Sequence, residues 1–301
     1  MYPQKEKRMK KFENWTIAYR RRSGNRTLPE NTDAPFTCIP NTWRYWCADP
    51  HIITENGKTY IFAELYDRVL RRGVIGYCEL RENGVTPWQI ALKMPFHLSY
   101  PHLLRKDADI YMIPESYVAD EIAVYKAVSF PDCWEKRMVL REHFCAVDST
   151  ILEWDRKAYM LTLKFTGDTE RLVLFSMENE GWKKDGQTVV ENDHQKRPGG
   201  HFFFHNGDYI RPAQDCSESY GCALNFYKVT SLDPYTEELV AKIKPDMLRT
   251  DLGRIADGIH TYNRNEQYEV IDLKGYETDI LFYIMRPVWF IWRRIRKLLY
   301  R

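Results

Sequence analysis

Pro50-His51-Ile52-Ile53-Thr54-Glu55-Asn56-Gly57-Lys58-Thr59-Tyr60 is the first of five copies of one pattern: an anchor, an apolar run, a polar turn and a tyrosine. The others begin Pro101-His102-Leu103-Leu104, Ser149-Thr150-Ile151-Leu152, Gly200-His201-Phe202-Phe203 and Gly258-Ile259-His260, and close on Tyr111, Tyr159, Tyr209 and Tyr268. The anchors at 51, 102, 150, 201 and 260 recur about every 50 residues. A period of that length marks one supersecondary unit used repeatedly. The turns read Asn56-Gly57, Lys106-Asp107, Asp155-Arg156, Asn206-Gly207 and Asn265-Glu266, so each copy reads as a β-hairpin.

Two further strand-like segments follow each of the first four hairpins. They are Val74–Cys78 with Trp88–Leu92, Ile122–Lys126 with Trp134–Leu140, Leu172–Phe175 with Gln187–Val190, and Ala223–Tyr227 with Glu238–Ala241. Four strands in about 50 residues are the dimensions of a propeller blade. The fifth copy lacks its second pair, and the chain start supplies candidates in Trp15–Arg20 and Phe36–Ile39. The expected fold is therefore an all-β, five-bladed propeller over residues 12–275, closed by its N-terminal strands. An irregular β-sandwich is the alternative.

Composition narrows the function classes. The 301 residues carry a net charge of +2, which gives no nucleic-acid footprint, so no nucleic acid is expected as partner. The basic lead of residues 1–11 and Arg20-Arg21-Arg22 read as solvated surface. Seven cysteines show no metal-ligand spacing, and several fall inside strand patterns as small apolar residues. No metal and no cofactor are expected. With no signal-like segment opening the chain, a cytoplasmic location is expected. Residues 276–301 read as an amphipathic helix starting at Pro287, with Val288, Trp292, Ile295 and Leu299 on one face and Arg293, Arg294, Arg296, Lys297 and Arg301 opposite. The tail is too short and too charged to span a bilayer, and fits either an in-plane helix at the inner face of an anionic membrane, through residues 280–301, or a helix packed on the propeller's side.

Ligands of propellers bind where the innermost strands begin. The repeat places there Asp49, Tyr100 with His102, Asp148, Arg197 with His201, and Asp257 with His260. Asp49 and Asp148 are equivalent carboxylates of blades one and three, and Glu64 and Glu115 follow at matching places in the second strands. Paired carboxylates are what glycosyl chemistry requires. Arg197, Arg211, Gln214 and Asp215 add a blade-four group suited to an anionic sugar substituent. Trp46 could stack on a sugar ring or pack between blades. Asp49 could also cap a turn, and His51 and His102 could bond a neighbouring blade's backbone.

Trp46-Cys47-Ala48-Asp49-Pro50-His51, Gly57-Lys58-Thr59-Tyr60 with Phe62-Ala63-Glu64, and Val147-Asp148-Ser149-Thr150 resemble the five-bladed propeller glycosidases related to glycoside hydrolase family 43. Met112-Ile113-Pro114-Glu115-Ser116, Arg197-Pro198-Gly199-Gly200 and Arg211-Pro212-Ala213-Gln214-Asp215 resemble the N-terminal propeller of glucosamine inositolphosphorylceramide transferases, from about Trp15 to Leu273. The resemblance implies that Asp49 is general base or nucleophile and that Asp148 tunes and orients. It also implies a general acid opening blade four, where this chain has Arg197-Pro198-Gly199-Gly200; Glu115 is the candidate replacement. The readings that follow are a glycosyltransferase-like enzyme of surface polysaccharide or glycolipid assembly, a family 43-type hydrolase, or a non-catalytic glycan-binding propeller. No Gly-rich nucleotide loop is present, so a nucleotide-sugar donor has no support in the sequence.

Overall fold

The computed structural model describes residues 11–22, 34–178, 181–182, 186–253, 256–278 and 280–299, with helix side chains described to residue 290. Among the described residues, five antiparallel sheets, one per repeat, form the propeller. Blade one runs Tyr45–Glu55, Lys58–Asp67, Arg72–Arg81, with Gln89–Leu92 outermost. Blade two runs Ser99–Lys106, Asp109–Glu115, Glu121–Ser129, Cys133–Glu142, and blade three Ala146–Trp154, Lys157–Thr166, Thr169–Glu178, Gln187–Val190. Blade four pairs Phe203–His205 and Arg197–Pro198 with Asp208–Asp215, followed by Ala223–Leu232 and Tyr235–Ile243. Blade five is made from both chain ends: Tyr262–Arg264 and Tyr268–Glu277 are followed by Phe12–Arg21 and Thr37–Cys38. The closing pair is continuous from Phe12↔Glu277 to Arg21↔Tyr268. The expected closure by Trp15–Arg20 and Phe36–Ile39 is thus present, and it covers the strand edge that an open array would expose.

Turn chemistry explains the tight hairpins. Asn56-Gly57 and Asn206-Gly207 both take φ > 0 at both positions, the backbone that matches the twist of flanking strands. Period-two patterning then sends each strand's side chains to opposite neighbours. In Lys58–Asp67, Tyr60 and Phe62 pack toward blade two, whereas Ile61, Ala63 and Leu65 pack toward blade five. Five apolar clusters result, one at each junction between blades. Each buried Ile, Leu or Phe contributes about 1.5–3 kcal/mol, so the ring is held by its gaps.

One local irregularity positions the functional groups. The innermost strands of blades one, two and three each break register at the same place, between Ala48 and His51, Ser99 and His102, and Val147 and Thr150. Asp49, Tyr100 and Asp148 occupy these β-bulges with φ of 52°, 40° and 55°. A bulge re-aims its side chain out of the pleat. The recurring motif before each anchor is therefore a device for turning a side chain toward the propeller axis.

The helix Ile280–Leu299 begins seven residues earlier than Pro287, which lies in its interior. The expected start at Pro287 is corrected: apolar contacts of the first turns fix the helix against the propeller. Phe282 meets Phe12 at 4.6 Å, Trp289 Nε1 donates to Val69 O at 3.0 Å, and Arg71 sits over Trp289 at 5.5 Å. Proline then removes one interior helix bond that those contacts offset. The opposite face leaves Ile280, Ile284 and Val288 exposed at 62%, 65% and 53%. Among the described residues, no helix is long and apolar enough to cross a membrane. Most of the basic lead and the side chains of Trp292, Arg293, Arg294, Ile295, Arg296, Lys297, Leu299 and Arg301 lie outside the described residues.

Candidate functional site

Asp49 and Asp148 converge with Glu64 and Glu115 near the axis, close enough that each ionised carboxylate disfavours the others. Asp49 Oδ2 accepts the Tyr100 N–H at 3.2 Å, and Oδ1 accepts the Thr261 hydroxyl at 3.0 Å. Burial, reinforced by Asp148 and Asp272 and opposed by His260, raises Asp49 from 3.8 to about 6. Glu64 is pushed well above the usual carboxylate range by burial and by Asp49 and Glu115. Its Oε1 has His97 Nε2 at 3.5 Å. Glu115 is raised by burial, against a Ser99 hydroxyl bond and the Tyr117 N–H at 3.0 Å.

Blade four contributes the counter-charge. Arg197 Nε donates to Asp148 Oδ2 at 2.7 Å, and the guanidinium lies 5.0 Å from the Tyr220 ring centroid. Burial raises Asp148, while Arg197 opposes the rise. Burial also works against the charged Arg197, but Asp148 outweighs it and holds the guanidinium protonated. Arg197 keeps 22% of its side chain exposed and Tyr220 is 38% exposed, so this rim is the solvent-facing side of the cluster. Gln214 supports the pair from beneath, donating to Pro198 O at 2.9 Å and standing 3.4 Å from Asp148 Oδ2.

Below the bulges lies a layer of imidazoles. The His51 ring meets Tyr100 at 4.7 Å and His201 at 4.7 Å, and His102 stacks on His201 at 4.3 Å. Burial lowers the pKa of all three, His201 to about 4, so the rings are neutral. His102 Nε2 accepts the Ile151 N–H of blade three at 3.0 Å. Its remaining proton is therefore on Nδ1, and the three rings do not offer three lone pairs to a metal. A second cluster, Asp49, His260 and Asp272, is equally engaged, because four donors fill the oxygens of Asp272.

The sequence-predicted residues thus divide. Asp49, Glu64, Glu115, Asp148 and Arg197 come together, Gln214 braces them, and His102 and His201 form the layer beneath. Arg211 and Asp215 do not join them. Arg211 is buried within blade four, where Glu237 and the Gln195 carbonyl take its guanidinium. Asp215 binds Lys242 at 2.6 Å and Ser217 at 2.6 Å, and these donors outweigh burial and lower its pKa. Trp46 stacks on Tyr66 at 4.6 Å. Period two explains the split: Gln214 follows the bulge-facing parity of its strand, whereas Arg211 and Asp215 have the other. Asp272, Thr261, Trp15 and Tyr220 were not anticipated. The one local cue was Asp272 itself, an acid between Ile271 and Leu273 in an apolar strand.

Known proteins agree with this architecture. Structures of similar fold include the catalytic domain of a GH62 α-L-arabinofuranosidase from Coprinopsis cinerea, with a TM-score of 0.58 at 8% identity over 72% of this chain and 76% of that one. A GH43_1 enzyme from Xanthomonas citri gives 0.58 at 11% identity over 79% and 89%. In sequence, the chain is 30% identical to glucosamine inositolphosphorylceramide transferase 1 of Arabidopsis thaliana over 220 residues, 68% of this chain and 28% of the relative. The protein of that name from Oryza sativa subsp. indica is 28% identical over 228 residues, 70% of this chain and 30% of the relative. The chain therefore spans less than a third of the length of these relatives. Residues 37–260 match the family described as glucosamine inositolphosphorylceramide transferase 1, N-terminal, and the chain belongs to that family.

Proposed function

We propose that this propeller is a carbohydrate-active enzyme of glycosyltransferase type, acting in surface polysaccharide or glycolipid assembly on a sugar or polyol that carries an anionic substituent. One observation carries the reading: Arg197, at the opening of blade four where the family 43 resemblance implies an acid, is paired to Asp148 at the exposed rim. A guanidinium there favours a phosphate or carboxylate over a neutral leaving sugar. Asp49, raised to about 6, is the reacting carboxylate, and Asp148 orients the substrate. The relatives' name couples glucosamine to inositolphosphorylceramide, which supports a phosphoinositol-bearing acceptor. Glu115, raised by burial, keeps a hydrolytic second reading in view, with Glu115 as the acid.

The test is calorimetric titration of inositol 1-phosphate against myo-inositol. A charge-assisted contact is worth about 1.5–3 kcal/mol, so the phosphate should bind about tenfold tighter or more. Arg197→Met should erase the difference. Equal affinity for both compounds would overturn the reading, and release of free sugar from aryl glycosides by wild type but not Glu115→Gln would favour hydrolysis. The proposal also places the protein in the cytoplasm, against the inner face of a membrane. Ile280, Ile284 and Val288 support this, recurring at helical spacing and exposed on the helix face away from the propeller.

A further inference from the structure

Asp272 is fully buried in the second strand of blade five, at the seam with blade one. Its Oδ1 accepts the backbone N–H groups of His260 at 3.0 Å and Thr261 at 2.9 Å. Its Oδ2 accepts the Asp49 N–H at 2.9 Å and lies 2.6 Å from His260 Nδ1. Among the described residues, four donors and no acceptor face it, the partner set of a carboxylate, so the proton on Nδ1 of His260 is fixed there. The imidazole is clamped flat against Trp15, with centroids 3.7 Å apart and planes 11° apart, and Tyr220 closes its edge at 5.3 Å. This leaves Nε2 3.7 Å from Asp49 Oδ1.

With Nδ1–H committed to Asp272, a neutral ring would turn a bare lone pair toward a carboxylate. Such a pair is tolerable only if a proton lies between them. Asp49 already accepts the Tyr100 N–H and the Thr261 hydroxyl, bonds that favour its ionised form. We infer that Asp272 and His260 form a positioning relay in which the intervening proton resides on His260 Nε2, so that Asp49 meets its substrate as a carboxylate paired with an imidazolium. The inference rests on the reading of Asp49 as the reacting group. Asp272 acts through His260 and through the Asp49 backbone, and touches no substrate itself.

The surrounding charges are consistent with this assignment. Burial opposes a charged His260, but Asp272 and Asp49 outweigh it and raise the ring above its usual value, with Arg197 pulling the other way. Asp148 faces the same ring, and Glu64, pushed well above the usual carboxylate range by burial and by Asp49, adds no charge there. Lys274 stands behind Trp15, its Nζ 5.9 Å from the indole centroid. The stack on Trp15 adds the attraction of a ring face for a cation.

The test needs no substrate. In the full chain labelled with ¹⁵N-histidine, long-range ¹H–¹⁵N spectra at pH 7 should show both His260 nitrogens protonated, with the signal assigned by its loss in His260→Gln. Asp49→Asn should lower the pH at which Nε2 deprotonates by at least about one unit, the usual effect of removing an opposite charge at this range. Asp272→Asn should lower it as well; should that variant fail to fold, Asp49→Asn alone decides. A neutral His260 at pH 7, or a midpoint that Asp49→Asn leaves in place, overturns the relay. A protonated His260 in a protein whose Asp49→Asn variant keeps full turnover would uphold the relay and remove Asp49 as the reacting group.

Discussion

Replacing Tyr100 with phenylalanine removes one oxygen from the centre of the molecule, where three blades meet. Tyr100 is fully buried, and its hydroxyl accepts the Gly200 N–H of blade four at 3.0 Å while meeting Thr150 Oγ1 of blade three at 2.8 Å. Thr150 keeps a second contact, Asp148 O at 3.3 Å, so its hydroxyl is not stranded by the change. The Gly200 N–H is. An orphaned buried donor costs about 1–3 kcal/mol, which sets the expected loss near 2 kcal/mol. For a 301-residue chain the unfolding entropy then converts that loss to a fall in Tm of about 3 °C. Scanning calorimetry of wild type and Tyr100→Phe at pH 7 measures it directly. A fall below about 1 °C for Tyr100→Phe would refute the claim that this hydroxyl ties the blades through Gly200.

Asp49 should leave a pH signature on stability. Its folded value of about 6 lies above the ordinary 3.8, so the folded state holds the proton more tightly and stability is lost as pH rises between those values. Asp49→Asn should therefore gain on wild type by about 2–3 kcal/mol between pH 3.8 and 6 in urea unfolding, and a gap that does not widen counts against the burial argument. Gly200→Ala should not accumulate as folded protein, because φ is +144° and a Cβ would stand 1.9 Å from Tyr262 O; a soluble variant with unchanged Tm would contradict that geometry. Ile284→Glu with Val288→Glu should abolish co-sedimentation with phosphatidylserine-containing vesicles while leaving Tm unchanged, and equal sedimentation of variant and wild type would dismiss the membrane role of the helix.

Much of this was legible in the sequence for a simple reason. Blades are built from local hairpins, so the anchor, turn and tyrosine are written within one dozen residues each time, and aligning His51 with His102 and Thr150 also aligns Asp49, Tyr100 and Asp148. The bulge that aims those three residues inward is a backbone event at a fixed place in the repeat, and repetition carried it. Blade four broke the rule. Arg211 and Asp215 share a strand with Gln214, but the partners that claim them, Glu237 and Lys242, lie on an outer strand that no repeat position marks. Asp272 eluded the reading because its worth comes from Asp49, in another blade, and from His260 and Thr261, which lie just ahead of the strand Tyr262–Arg264. Pro287 misled for a related reason: its local preference for a helix start yielded to the packing of Phe282 and Trp289.

The seam of blade five has a consequence for how the chain reaches its native state. Arg20 is ion-paired to Glu269 across 249 residues of sequence, and the whole strand Phe12–Arg21 waits for a partner made that much later in the chain. Four blades can condense as synthesis proceeds, yet Phe12–Arg21 must stay unpaired until Tyr268–Glu277 has appeared. Closing so long a loop is slow, and an unpaired strand is an invitation to a second molecule. The interval before closure is therefore the period in which this protein is most exposed to exchanging Phe12–Arg21 with another copy.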